Sequence, residues 1–221
     1  MKPSSGALVI LDCDGVMFDS FEANVAFYDA VLESLGEPPL DEEGREHAHR
    51  MATPQIMAWL FEGDPERIEE ARRAAYEVDY APFLSLLRPV PGLYETLGWL
   101  REHYRTALAT NRGATIPALL DHFELAPWFE VVVGILDVPR PKPAPDMLLH
   151  CLDRLDVGAH AAAYVGDSPG DRAAAEAASL YFVGVGERVE HNTRIAELRE
   201  LPDLLCDSGL HFPSGRTTPG G

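Results

Sequence analysis

Two carboxylates one residue apart, Asp12 and Asp14, close an apolar run in LVILDCDG (8–15). Three more segments set polar side chains beside apolar runs. TNRG (110–113) follows RTALA, RPKPAPD (140–146) lies after FEVVVG, and GDSPGD (166–171) follows AAYV. If those apolar runs are parallel strands of one sheet, the polar segments leave at the same edge. Asp12, Asp14, Thr110, Lys142, Asp167 and Asp171 then meet in one crevice. Four carboxylates at close range repel. A divalent cation relieves the repulsion, and Mg²⁺ takes oxygen ligands, namely one or two carboxylates, waters and phosphate oxygens. Lys142 adds a further positive charge. These residue types ask for Mg²⁺ and an anion with spare oxygens, which describes a phosphoryl group.

Each residue also has a plainer reading. Asp12 and Asp14 suit a turn, Thr110 suits a helix N-cap, and Asp171 suits the dipole of a following helix. Lys142 could be a solvated loop residue. Yet the chain holds only Lys2 and Lys142 among 18 basic residues, and a lysine between two prolines points to a specific role for its compact charge. Cys13, between the two aspartates, faces the core if strand alternation persists. The eight histidines form no HxH or HExxH pattern.

The elements that must position these groups follow from hydrophobic patterning. ALVIL (7–11) reads as a strand buried on both faces. Residues 20–36, 42–61 and 65–80 read as helices, with Asp64-Pro65 as a start signal. Beyond Gly92 the pattern alternates: helix 93–103, strand 105–109, helix 114–123, strand 129–133, helix 144–155, strand 161–165, helix 170–178 and strand 180–185. That alternation predicts an α/β fold, a Rossmann-like parallel sheet covered by helices. An inserted α-helical cap begins just after Asp14-Gly15, where open sheets bind ligands. The expected division is a core domain over 1–16 and 89–213, a helical cap over 17–88, and a disordered tail over 214–221.

A length of 221 residues suits one domain carrying a smaller inserted one, and 46% hydrophobic residues allow a full core. A formal net charge of −18 argues against nucleic acid and anionic membrane as partners. Three cysteines without CxxC spacing suggest neither a disulfide framework nor a zinc site. With no signal-like segment and no apolar run long enough to span a bilayer, the expected location is cytoplasmic.

DCDGVMFDS, ATNRG, the lysine of RPKPAPDM and GDSPGD, in this order and each beside a predicted strand, resemble the haloacid dehalogenase-like hydrolases. The likeness spans residues 7 to about 186 and is to the phosphoglycolate phosphatase-like branch with a helical cap. The resemblance implies a Mg²⁺-dependent phosphatase acting on a small phosphorylated metabolite, phosphoglycolate- or sugar-phosphate-like, as a monomer or homodimer. Asp12 would be the nucleophile and form an aspartyl-phosphate. Asp14 would protonate the leaving alcohol and later activate water. Thr110, with Asn111 beside it, would bind phosphoryl oxygens, and Lys142 would steady the nucleophile and the developing charge. Asp12, Asp167 and the main-chain carbonyl of Asp14 would hold Mg²⁺, with Asp171 in support. The resemblance also places HRMATPQ (49–55) near the leaving group, where Arg50 would clasp a substrate carboxylate or else lie exposed. Asp14 argues against dehalogenation, and an insertion free of lysine argues against Schiff-base chemistry. The alternatives are a β-phosphoglucomutase-like phosphomutase and a non-catalytic phospho-accepting signalling module.

Overall fold

A computed structural model describes residues 6–51 and 53–207. In chain order, β1 (Leu8–Leu11) and the short β2 (Phe18–Asp19) precede four helices, α1 (Phe21–Ser34), α2 (Glu42–Arg50), α3 (Thr53–Leu60) and α4 (Pro65–Glu77). Then come β3 (Arg88–Pro89), α5 (Leu93–His103), β4 (Arg105–Ala109), α6 (Ile116–His122), β5 (Val131–Val133) and α7 (Asp146–Leu155). The chain ends through β6 (Ala162–Gly166), α8 (Pro169–Ala177), β7 (Tyr181–Val185), β8 (Arg194–Ile195) and α9 (Leu201–Asp207).

The main sheet has six strands in the order β5-β4-β1-β6-β7-β8, all parallel. Leu11 is level with Leu108 on one side and Val165 on the other, so β1, β4 and β6 finish together. The Asp12 amide still donates to Val165 O at 2.9 Å, which carries the ladder one residue beyond the strand. Side-chain parity then sorts the faces. Val9, Leu11 and Cys13 join Leu93, Leu97 and Leu201 in the core under α5 and α9. Leu8 and Ile10 join Met147, Leu148 and Ala174 under α7 and α8. Cys13 is fully buried, as alternation predicts.

The inserted helices have a core of their own, built on Val25, Tyr28, Val31, Ile56, Met57 and Phe61. The chain enters and leaves the insertion along an antiparallel ribbon, with Phe18 paired to Pro89 and Asp19 to Arg88. This ribbon lies close in sequence to the residue pairs 16/17 and 88/89. The segment expected to form one helix over 42–61 is broken. Met51 takes extended geometry. Pro54 has no amide hydrogen with which to extend the α2 ladder, so a new helix starts at Thr53. Asp41 and Asp64 cap α2 and α4, accepting from the amides of Gly44 and of Glu66 and Arg67. β2, β3 and β8 have two residues each, too short for a period to register. The tail over 214–221 lies outside the described residues. Among the described residues no helix is long and apolar enough to cross a membrane.

Candidate active site

Lys142 lies at the centre of the crevice. Its loop is clamped by Asn111, which accepts from the Lys142 amide at 3.0 Å and donates to its carbonyl at 3.2 Å. Held this way, the buried ammonium lies 2.8 Å from both Asp12 Oδ1 and Asp171 Oδ1. It also donates to the Tyr164 hydroxyl at 2.7 Å and to Ala109 O at 3.2 Å. Tyr164 passes the bond on, its hydroxyl donating to Asp171 Oδ1 at 2.8 Å. Tyr164 pairs with Ile10 in the sheet, two residues before Asp12, so parity puts it on the same face as the nucleophile candidate.

Asp171 is 1% exposed. It is the third residue of α8 and closes a capping box, in which its amide donates to Ser168 Oγ and its Oδ2 accepts from the Ser168 amide and hydroxyl. Asp171 thus caps the helix and carries charge to Lys142. Asp167 pairs with Arg188 at 3.1 Å. Gly15, at φ +76°, lets the chain pass against Asp167, because a Cβ there would collide with that carboxylate.

Asp12, Asp167 and Asp171 each offer a carboxylate oxygen within 4.8 Å of the other two. The donors are hard oxygens and buried, which fits Mg²⁺ better than softer metals. Asp171 has both oxygens engaged by Lys142, Tyr164 and Ser168, so Asp12 and Asp167 are the ones open to an ion. The Asp14 side chain is not one of these three.

Asp14 instead meets Arg112, a residue that the motif reading quoted within TNRG and gave no role. Arg112 donates from Nε to Asp14 Oδ2 at 2.8 Å and from Nη2 to Oδ1 at 2.6 Å. This is a planar, bidentate pair in which the guanidinium is buried. Thr110 is buried and its hydroxyl accepts from the Arg112 amide at 3.1 Å. It therefore folds the loop that aims Arg112 and caps no helix, since Thr115 occupies the N-cap of α6. Arg50 lies in the last turn of α2, and its side chain is outside the described residues.

Charges follow from these contacts. Of the two carboxylates sharing the Lys142 ammonium, burial pushes Asp12 well above the usual range, despite the attraction of Lys142. For Asp171 burial is outweighed by Lys142 and by bonds from Ser168 and Tyr164, so it is lowered. Burial pushes Asp167 up to about 6, against the pull of Arg188. Burial also opposes the charge of Lys142, but Asp12 and Asp171 more than offset it. Asp14 is lowered because Arg112 outweighs burial. Burial raises Asp12 and Asp167 together, and a cation bound between them would favour their charged forms.

Residues 7–179 match the family model described as haloacid dehalogenase-like hydrolase. The chain is 32% identical over 209 residues to phosphoglycolate phosphatase 1 of Pseudomonas aeruginosa, covering 91% of this chain and 76% of that one. It is 29% identical over 214 residues to a phosphoglycolate phosphatase of Nitrosococcus oceani, covering 91% and 92%. Among solved structures it is similar to a HAD-superfamily hydrolase, subfamily IA, variant 1, of Geobacter sulfurreducens. That likeness has 38% identity, a TM-score of 0.75 and coverage of 92% and 99%. The parallel sheet, the inserted helices and these matches place the chain in the haloacid dehalogenase-like hydrolases, in the phosphatase branch that its phosphoglycolate phosphatase relatives represent.

Proposed function

We propose that this enzyme is a Mg²⁺-dependent phosphatase that hydrolyses a small phosphorylated metabolite through a phosphorylated Asp12. The observation that carries the reading is the gathering of three buried carboxylates, Asp12, Asp167 and Asp171, within 4.8 Å, with the Lys142 ammonium 2.8 Å from Asp12. Asp12 and Asp167 would hold the ion, with the main-chain carbonyl of Asp14. When bound, Mg²⁺ supplies charge neutralisation and orients the phosphoryl group.

The chain's own residues divide the rest. Asp12 attacks phosphorus as the bond from phosphorus to the ester oxygen breaks. Asp14, entering this step protonated, delivers its proton to the departing alkoxide and becomes the carboxylate that Arg112 holds. In the second step the Asp14 carboxylate takes a proton from water as that water attacks phosphorus, and Asp12 leaves as a carboxylate. Two displacements replace one harder displacement. Lys142, fixed by Asp171, Tyr164 and Asn111, neutralises charge on Asp12 and on the phosphoryl oxygens. The Thr110 hydroxyl accepts from the Arg112 amide and keeps its own hydrogen for a phosphoryl oxygen. The names of the curated relatives favour 2-phosphoglycolate over a sugar phosphate and favour hydrolysis over mutase chemistry.

The test is turnover of p-nitrophenyl phosphate and of a panel of phosphorylated metabolites, with Mg²⁺ and with EDTA. Turnover should need Mg²⁺ and vanish in Asp12→Asn. Activity that survives Asp12→Asn or EDTA would refute the mechanism. Stoichiometric, long-lived phosphorylation without turnover would favour the signalling module.

A further inference from the structure

The far side of Asp14 is lined by groups that the phosphoryl chemistry does not use. Two of Arg112's five N–H groups go to Asp14, which leaves three that Asp14 does not use. The guanidinium carbon lies 5.1 Å from the centre of the Tyr80 ring. Tyr80 is 8% exposed, and its hydroxyl has no hydrogen-bond partner among the described residues. The charges that bear on that hydroxyl most are Arg112 and then Asp14. Tyr28, which donates to the Thr53 hydroxyl at 3.1 Å, feels the same two charges from the inserted helices.

A buried polar group without a partner is costly, and a phenol whose ring lies under a guanidinium can offer an anion a second donor beside that cation. The bidentate grip on Asp14 shows which shape this guanidinium accepts, a planar carboxylate. Position supplies the second constraint. Asp14 reaches the ester oxygen, Arg112 touches Asp14, and so Arg112 stands beside whatever is bonded one or two atoms beyond that oxygen. In a chain of net charge −18, an anionic substrate also needs a local cation, and Arg112 supplies one on the alcohol side.

We propose that Arg112 and Tyr80 form the pocket that reads the alcohol half of the substrate. They select short phosphate esters with a carboxylate one carbon from the ester oxygen. This rests on the phosphatase reading above, and it moves the carboxylate clasp from Arg50 in the insertion to Arg112 at the sheet edge.

The experiment compares kcat/KM for 2-phosphoglycolate and for ethyl phosphate, its counterpart without the carboxylate, in the full-length enzyme with Mg²⁺. Hydrogen bonds to a charged group predict a wild-type preference of about 10- to 100-fold for the carboxylated ester. Arg112→Gln slows both esters, because Asp14 loses its partner, but shrinks the preference below about 5-fold. Tyr80→Phe deletes one hydroxyl and lowers the preference by about 2- to 10-fold, chiefly through KM. A wild-type enzyme without preference, or a preference unchanged in both variants, overturns the pocket and leaves the phosphatase reading standing. If Arg112→Gln does not fold, Tyr80→Phe decides on the same ratio. Failure of the wild type to hydrolyse either ester with Mg²⁺ sinks both readings.

Discussion

Lys142→Met removes one positive charge from the middle of the site and keeps most of the apolar stem. In the wild-type chain that ammonium lies 2.8 Å from each of two carboxylates and is 6% exposed as a residue. Deleting one partner of a buried ion pair costs about 3–5 kcal/mol, because the charge left behind has no compensation. Proton uptake by Asp12, already pushed upward by burial, relieves part of the cost, which favours the lower end, about 3–4 kcal/mol. At about 2–4 °C per kcal/mol for a chain of this size, Tm should fall by about 6–16 °C near neutral pH. The pH dependence has a defined sign. Lys142 is raised in the fold, so its contribution is complete below the unfolded lysine value and disappears only as pH climbs through the folded one. Asp171 is lowered, so its contribution is present above the unfolded carboxylate value and is lost as pH falls through the folded one. The gap in Tm between wild type and variant is therefore widest near neutrality and narrows only below about pH 4, between there and about pH 2–3. Thermal melts of both proteins in metal-free buffer across that range measure it. A gap under about 2 °C near neutral pH, or one that does not change on acidification, would refute the buried charge network.

Two further outcomes test neighbouring parts of the site. Gly15→Ala forces a side chain into positive φ, at about 1–2 kcal/mol, and drives its Cβ into the Asp167 carboxylate. Both Tm and the half-saturating Mg²⁺ concentration should worsen, and a variant that matches wild type in both would show that the close approach of Gly15 to Asp167 is unimportant. Asp167, at about 6 without metal, would have to lose its proton to serve an ion, so Mg²⁺ affinity should weaken as pH falls through about 6. Calorimetric Mg²⁺ titrations across that range check it, with constant affinity as the refuting result.

Strand and helix alternation was legible because burial imposes local periods, and β4 and α5 occupy the residues expected of them. The residues that converge were legible too, because each follows a strand and parallel strands share an edge. The break between α2 and α3 needed the chain path around Pro54, and the two-residue strands carry too few positions to show a pattern. AAAYV looked like an apolar strand, and nothing local distinguished the Tyr164 hydroxyl as a bridge between Lys142 and Asp171.

The sequence by itself determined the fold class, the alternation of helices and strands from α5 to β7, and the set of carboxylates with one lysine at a sheet edge. Only the tertiary structure decided which acid each cation serves. Arg112 grips Asp14, Lys142 joins Asp12 to Asp171, and Arg188 takes Asp167. Hydrophobic periodicity reports which face of an element is buried. Partners such as Arg112 and Asp14, 98 residues apart, depend on strand order and register, which bring β4 and β1 side by side.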